Sequence, residues 1–245
     1  MKGVILLALF SWRSPVTARF ETFALALCEA CSLCILLLPV QAVDGATIFE
    51  SSTLGPTGLS RGDTPAANVS SVVFSGVIFQ LTAPVVTTRV GGHFVDWPET
   101  TDSLFGAIVK LDDQDDMPDS GDLSTPDVLG STVIGFPEPS SEVFGSLNVA
   151  LDPGWYALVF CSGLFEAVGE GAMPLNNTDI GNPTYIAFQP SHGWFNLSVL
   201  SDAFNFVDFR FVVHGYVVPE SSTTVMIIWI ALMAMHIRKR TAITV

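Results

Sequence analysis

The strongest constraint on the fold of this chain is that its body breaks into short runs of β-branched and aromatic residues, punctuated by Gly, Pro, Asn and Asp. The runs Val69–Leu81, Val85–Phe94, Leu104–Leu111, Glu142–Leu151, Gly154–Cys161, Thr184–Gln189, Trp194–Leu200 and Asn205–Tyr216 read as strands. Several alternate polar and apolar residues imperfectly, as Ser71 to Phe79 does. No long segment free of Gly or Pro carries a 3.6-residue period, so the crossover helices of a βαβ arrangement are missing. Leu151-Asp152-Pro153-Gly154 is a strong turn, with proline fixing one dihedral and glycine free to take positive φ. These features predict an all-β domain over residues 47–217, a two-sheet antiparallel sandwich of jelly-roll type. The phenylalanines, with Trp155, Trp194 and Tyr156, are expected to fill its inter-sheet space; a sugar-binding platform is the alternative use of such aromatics.

Charge narrows the partners. The formal charge is −14, and between Thr47 and Glu220 there are 21 acidic residues against Arg61, Arg89, Lys110 and Arg210. Phosphate contacts need clustered cations, so a nucleic-acid partner is not expected. Soluble display, repulsion from anionic surfaces or cation binding fit this balance better. One segment concentrates the charge: seven carboxylates fall in the sixteen residues from Asp112 to Asp127. Such a run is either solvated or neutralised. Calcium takes six to eight oxygens on a flexible loop, which makes Asp112, Asp113, Asp115, Asp116, Asp119 and Asp122 the candidate ligands of a calcium site. The spacing departs from the EF-hand loop, which has a terminal glutamate that this segment lacks after Gly121.

Catalytic patterns are absent from the sequence. His93, His192 and His214 are far apart without metal-ligand spacing. There is no Gly-x-Ser-x-Gly elbow, and the Gly163–Gly171 region lacks the lysine of a phosphate loop. Paired carboxylates would suit a glycosidase, yet Glu142, Asp152, Glu166, Glu170 and Asp202 are equivalent candidates by sequence. No catalytic residue is therefore assigned, and the expectation is a protein that is not an enzyme. Cys28, Cys31 and Cys34 lie in the N-terminal apolar stretch, and Cys161 alone remains in the body as a core thiol. Asn68, Asn176 and Asn196 meet the N-glycosylation acceptor pattern.

The two ends speak of routing. Residues 1–46 combine Arg13 and Arg19, an apolar stretch from Phe23 to Val40 and small residues at the exit, which reads as a secretory signal with a cut after Ala42 or Ala46. At the other end, Val218-Pro219-Glu220-Ser221 precedes an apolar run, Val225 to Ile237, closed by Arg238, Lys239 and Arg240. With Thr223 and Thr224 the run spans fifteen residues, below the roughly 17–25 of a standard spanning helix, and snorkelling of the three basic residues extends its reach. This arrangement over residues 218–245 resembles the PEP-CTERM sorting signal of exported bacterial proteins, with Val218, Pro219 and Glu220 matching the motif and Ser221 standing where the second proline falls. The stretch Leu151-Asp152-Pro153-Gly154-Trp155-Tyr156-Ala157-Leu158-Val159 is similar to exported proteins that carry this tail.

The resemblance implies a C-terminal transmembrane helix, export through the secretion translocon, a signal peptidase, and cutting near the motif by an exosortase-like enzyme. It also implies an inner-membrane intermediate before delivery to the cell surface, outer envelope or extracellular matrix. The function expected is a non-enzymatic surface or matrix protein. The alternatives are a calcium-assisted carbohydrate-binding or adhesion module with an extracellular polysaccharide as partner, and, third, a secreted carboxylate-dependent hydrolase.

Overall fold

A computed structural model describes residues 45–96, 102–197 and 208–218. The chain divides into two compact units, 1–43 and 44–245, and the described residues belong to the second. They form an all-β domain with several sheets.

The strands, in chain order, are β1 (Ala46–Glu50), β2 (Ser52–Thr53), β3 (Ala66–Val69), β4 (Phe74–Leu81), β5 (Val85–Asp96), β6 (Ser103–Leu111), β7 (Val128–Gly135), β8 (Ser141–Ser146), β9 (Ala150–Leu151), β10 (Gly154–Cys161), β11 (Gly171–Pro174), β12 (Thr178–Asp179), β13 (Thr184–Gln189), β14 (Gly193–Asn196) and β15 (Phe211–Val217). One sheet is built on the long strand β5. It pairs with β15 from Val85 to Gly92, with β8 from Arg89 to Phe94, with β9 at Val85–Val86 and with β11 at Val95–Asp96. β1 extends this sheet beyond β15, and β3 extends it beyond β11. The second sheet runs β14-β13-β4-β10-β6-β7, with Gly154 opposite Leu81 where the turn from β9 delivers the chain into β10. Tyr156 closes that turn by donating its hydroxyl to the Asp152 carbonyl at 2.7 Å. β12 and β2 make a third, two-stranded sheet.

Period-two alternation explains the second sheet. Tyr156, Leu158 and Phe160 of β10 join Val77, Phe79 and Leu81 of β4 and Leu104 and Ile108 of β6 in the main core, together with Val90 and Phe94 of β5 and Phe211 and Val213 of β15. Their neighbours Ala157, Val159 and Cys161, with Phe74, Ile78, Phe105, Ala107 and Val109, enter a second cluster on the opposite face. Both faces of the central strands are thus apolar, which is why the polar–apolar alternation in the sequence is imperfect. In the main core Phe160 stacks on Phe211 (centroids 5.2 Å, planes 13° apart) and meets Phe94 edge-on at 4.9 Å. Each such fully buried side chain contributes roughly 1.5–3 kcal/mol of apolar burial.

Three expectations are corrected. The predicted two-sheet sandwich of jelly-roll type with a C-terminal transmembrane helix gives way to an all-β domain whose described residues form three sheets. Among the described residues no helix is long and apolar enough to cross a membrane, and a single 3-10 turn at Arg61–Asp63 is the helical element. The described segments are short and alternate with a period of two, whereas a spanning helix needs a continuous apolar stretch of about 20 residues. The segment assigned to that helix, 225–237, lies outside the described residues, as do 1–44. The inner-membrane intermediate and its onward delivery to the surface or matrix lose their support together with the helix. At the strand level, the predicted run Val69–Leu81 is a strand only from Phe74: Val69 ends β3, Ser70 and Val73 pair across a turn, and β4 begins in the other sheet.

Candidate functional site

The acidic segment after β6 is folded on itself. Asp116 Oδ2 accepts the Asp112 N–H and its Oδ1 the Met117 N–H, both at 2.8 Å. Asp113 Oδ1 accepts the Asp115 N–H at 2.8 Å, and Asp127 Oδ2 accepts the Asp119 N–H at 3.0 Å. Asp122 Oδ1 accepts the backbone N–H and the hydroxyl of Ser124; that hydroxyl and Ser120 hold the Asp122 carboxyl below its usual range. Asp112, Asp113, Asp115, Asp116, Asp119 and Asp122 are therefore distributed along the loop as backbone caps or as the N–H groups being capped. Among the described residues no group of three or more His, Cys, Asp or Glu side chains is gathered as a metal site requires, so the geometry gives the calcium reading no support.

An aromatic layer lies under this loop. Phe74 packs edge-on to Phe105 (6.1 Å) and Trp194 (6.0 Å), and Phe188 lies 5.2 Å from Phe74 and 5.4 Å from Trp194. Trp194 Nε1 donates to the Ser120 carbonyl at 3.0 Å. Gly121 sits so close to the Phe188 ring that a Cβ there would lie 2.2 Å from Cζ, which excludes any other residue without movement. Leu123, 2 % exposed and held at φ +50°, plugs into the same cluster, with Met117 packed beside it. Trp155 is likewise half-buried against this cluster. Both tryptophans are partly buried, and Trp194 gives its N–H to the acidic loop.

A second polar constellation forms at the junction of β1, β2, β5, β8 and β15, and sequence reasoning did not find it. Arg210, 8 % exposed, places Nε 2.5 Å from Glu142 Oε1 and Nη1 3.0 Å from Glu50 Oε2, and also donates to the Ser52 carbonyl. Asn177 donates its amide N–H groups to the carbonyls of Pro174 (3.0 Å) and Asp208 (2.7 Å). Its Oδ1 is therefore the acceptor that takes the Gly55 N–H and faces His93 Nδ1 at 2.9 Å. That contact requires the His93 proton on Nδ1 and leaves Nε2 as a buried lone pair without a hydrogen-bond partner. Burial lowers the His93 pKa, outweighing the opposite pull of Asn177 and Glu142. The ring is fully buried, which favours its neutral form. A lone arginine inside the aromatic run Phe209-Arg210-Phe211 was the available signal, since a cation in an apolar strand needs partners.

The remaining candidates do not converge. Glu142 is committed to Arg210. Asp152 serves the turn through its carbonyl, Glu166 sits in a loop at φ +67°, Glu170 lies near Arg61, and Asp202 is outside the described residues. His192 pairs with Ser191 Oγ, and His214 lies 3.0 Å from the Gly45 carbonyl. Cys161 is fully buried with its Sγ 2.9 Å from the Ser70 carbonyl, and burial pushes its thiol far up, away from the thiolate that a nucleophile needs. Of the sorting motif only Val218 is described; its N–H donates to the Pro84 carbonyl at 2.8 Å, immediately after β15 ends. Pro219, Glu220 and Ser221, and Arg238, Lys239 and Arg240, lie outside the described residues. No protein-family model and no curated protein sequence matches this chain.

Proposed function

We propose that the domain is a non-enzymatic structural module that presents a fixed acidic loop over one face of its second sheet. The observation that supports this reading is the Trp194–Ser120 hydrogen bond beside the Phe74, Phe105 and Phe188 layer, which ties the indole N–H to the acidic loop. Carboxylates engaged with their own backbone hold the loop without a ligand. Processing near Val218-Pro219-Glu220-Ser221 belongs to the same proposal on sequence grounds.

The test is hydrogen exchange across Asp112–Asp127 in the full chain and in Trp194→Ala. The reading expects protection of Met117 and Ser124 in the wild type and its loss in the variant, while amides of β10 stay protected. Free exchange of the loop in the wild type would refute it.

A further inference from the structure

One row of polar side chains crosses the sheet built on β5, on the face turned away from the main core. Thr47 of β1 is paired with His214 of β15, His214 with Arg89 of β5, and Arg89 with Ser146 of β8. Directly paired residues of antiparallel strands share a face, and neighbouring strands lie ~4.8 Å apart, so the four stand side by side. The adjacent Val90 and Val213 belong to the main core. Phe144 of β8 ties the row together. It is paired with Gly91, and the ring lies so close to that glycine that a Cβ there would come 2.6 Å from Phe144 Cδ1. The Arg89 guanidinium carbon lies 4.6 Å from the Phe144 centroid, and the His214 ring meets the same phenyl edge-on at 5.0 Å. Both Arg89 and His214 are half-buried, while Thr47 and Ser146 at the two ends of the row are exposed.

The two nitrogen groups lack partners in complementary ways. Among the described residues the Arg89 guanidinium has no ion pair and no hydrogen bond, and its Nε is buried without an acceptor. Glu50 and Glu142, on the same face, are both taken by Arg210. His214 Nδ1 lies 3.0 Å from the Gly45 carbonyl, which can only accept. The neutral ring therefore carries its proton on Nδ1 and keeps Nε2 as an acceptor. A planar guanidinium fork fits a carboxylate, and a ring nitrogen lone pair beside it fits a hydroxyl proton. We propose that this row binds a sugar acid bearing a single carboxylate, a monomeric uronic acid being the type. Arg89 holds the carboxylate, His214 Nε2 accepts from a neighbouring hydroxyl, and Ser146 and Thr47 meet hydroxyls at either end. Charge decides between one carboxylate and many. With a formal charge of −14 the protein repels a polyanion, whereas a single anion against Arg89 sits within the ~8 Å Debye length of that cation. The site lies on a different sheet from Trp194 and does not depend on the reading of the acidic loop.

The test is an NMR titration of the full-length protein with sodium glucuronate and, in parallel, with glucose, read at the Arg89 Nε–H, the His214 ring and the Ser146 amide. Glucuronate should shift these signals saturably, glucose should not, and the Trp194 indole signal should stay in place. Arg89→Gln should abolish the response at His214 and Ser146. His214→Phe keeps a ring against Phe144 and removes the acceptor, so glucuronate affinity should fall by roughly 3–10-fold. No saturable shift with glucuronate, equal shifts with glucose, a shift confined to Trp194, or unchanged affinity in either variant would overturn the proposal. Should a variant fail to fold, the wild-type comparison of glucuronate with glucose decides.

Discussion

The indole nitrogen of Trp194 donates to the carbonyl oxygen of Ser120 across 3.0 Å, joining an edge strand of the second sheet to the middle of the most acidic segment of the chain. Through that bond a tryptophan that could have served as a sugar platform becomes part of the loop's foundation. Trp194→Phe keeps most of the ring and removes the bond, so a loss of about 0.5–1.5 kcal/mol is expected. Trp194→Ala removes the ring as well and should cost more, with urea unfolding midpoints as the measure.

Gly121 offers a sharper probe of the same contact. A methyl group at this position meets the Phe188 ring. Gly121→Ala should destabilise by ~1–3 kcal/mol through overpacking. The additional change Phe188→Leu should recover part of the loss, since it removes the ring that the methyl strikes. Thermal unfolding of the single and double variants checks this.

The ion pairs of Arg210 predict an asymmetry between its two carboxylate partners. Glu142→Ala leaves a buried guanidinium with the half-exposed Glu50 as its remaining carboxylate, so a cost of ~3–5 kcal/mol is expected. Glu50→Ala should cost much less, because solvent already screens that side chain. Chemical denaturation of both variants at one salt concentration separates them.

His93 sets a pH dependence of definite sign. Its folded pKa is lowered, so below ~6.5 the unfolded chain binds a proton that the folded protein resists. The stability that the neutral ring contributes is present above that pH and is lost as pH falls through the folded value. His93→Gln should flatten the dependence in this window, measured by denaturant midpoints on both sides of it. An undiminished slope in the variant would assign the effect to another group.

Parts of this structure were legible in the sequence. Gly154–Cys161 and Thr184–Gln189 are strands over the spans expected, because β-branched and aromatic runs with clear turns on either side leave few alternatives. The turn at Asp152-Pro153-Gly154 was readable for the same reason. β7 and β11 were missed: Val128–Gly135 carries Ser131 and Thr132 and two glycines, and Gly171–Pro174 is short and ends in proline, so neither shows a period. The run Glu142–Leu151 splits into β8 and β9 as the chain leaves and rejoins β5. In the site, the acidic loop stood out by charge density, but sequence spacing could not show that Asp113, Asp116, Asp122 and Asp127 turn their carboxylates toward backbone amides. The His93, Asn177 and Arg210 constellation joins residues up to 117 positions apart, and only the sheet topology brings them together.

The most direct test of the structural reading is the NMR signal of the Trp194 indole N–H in the full-length protein. Held against Ser120, it should exchange slowly and keep its chemical shift when calcium or a panel of oligosaccharides is added. Fast exchange, or a saturable shift on adding either ligand, would contradict the account and make the aromatic layer beneath the acidic loop a binding surface.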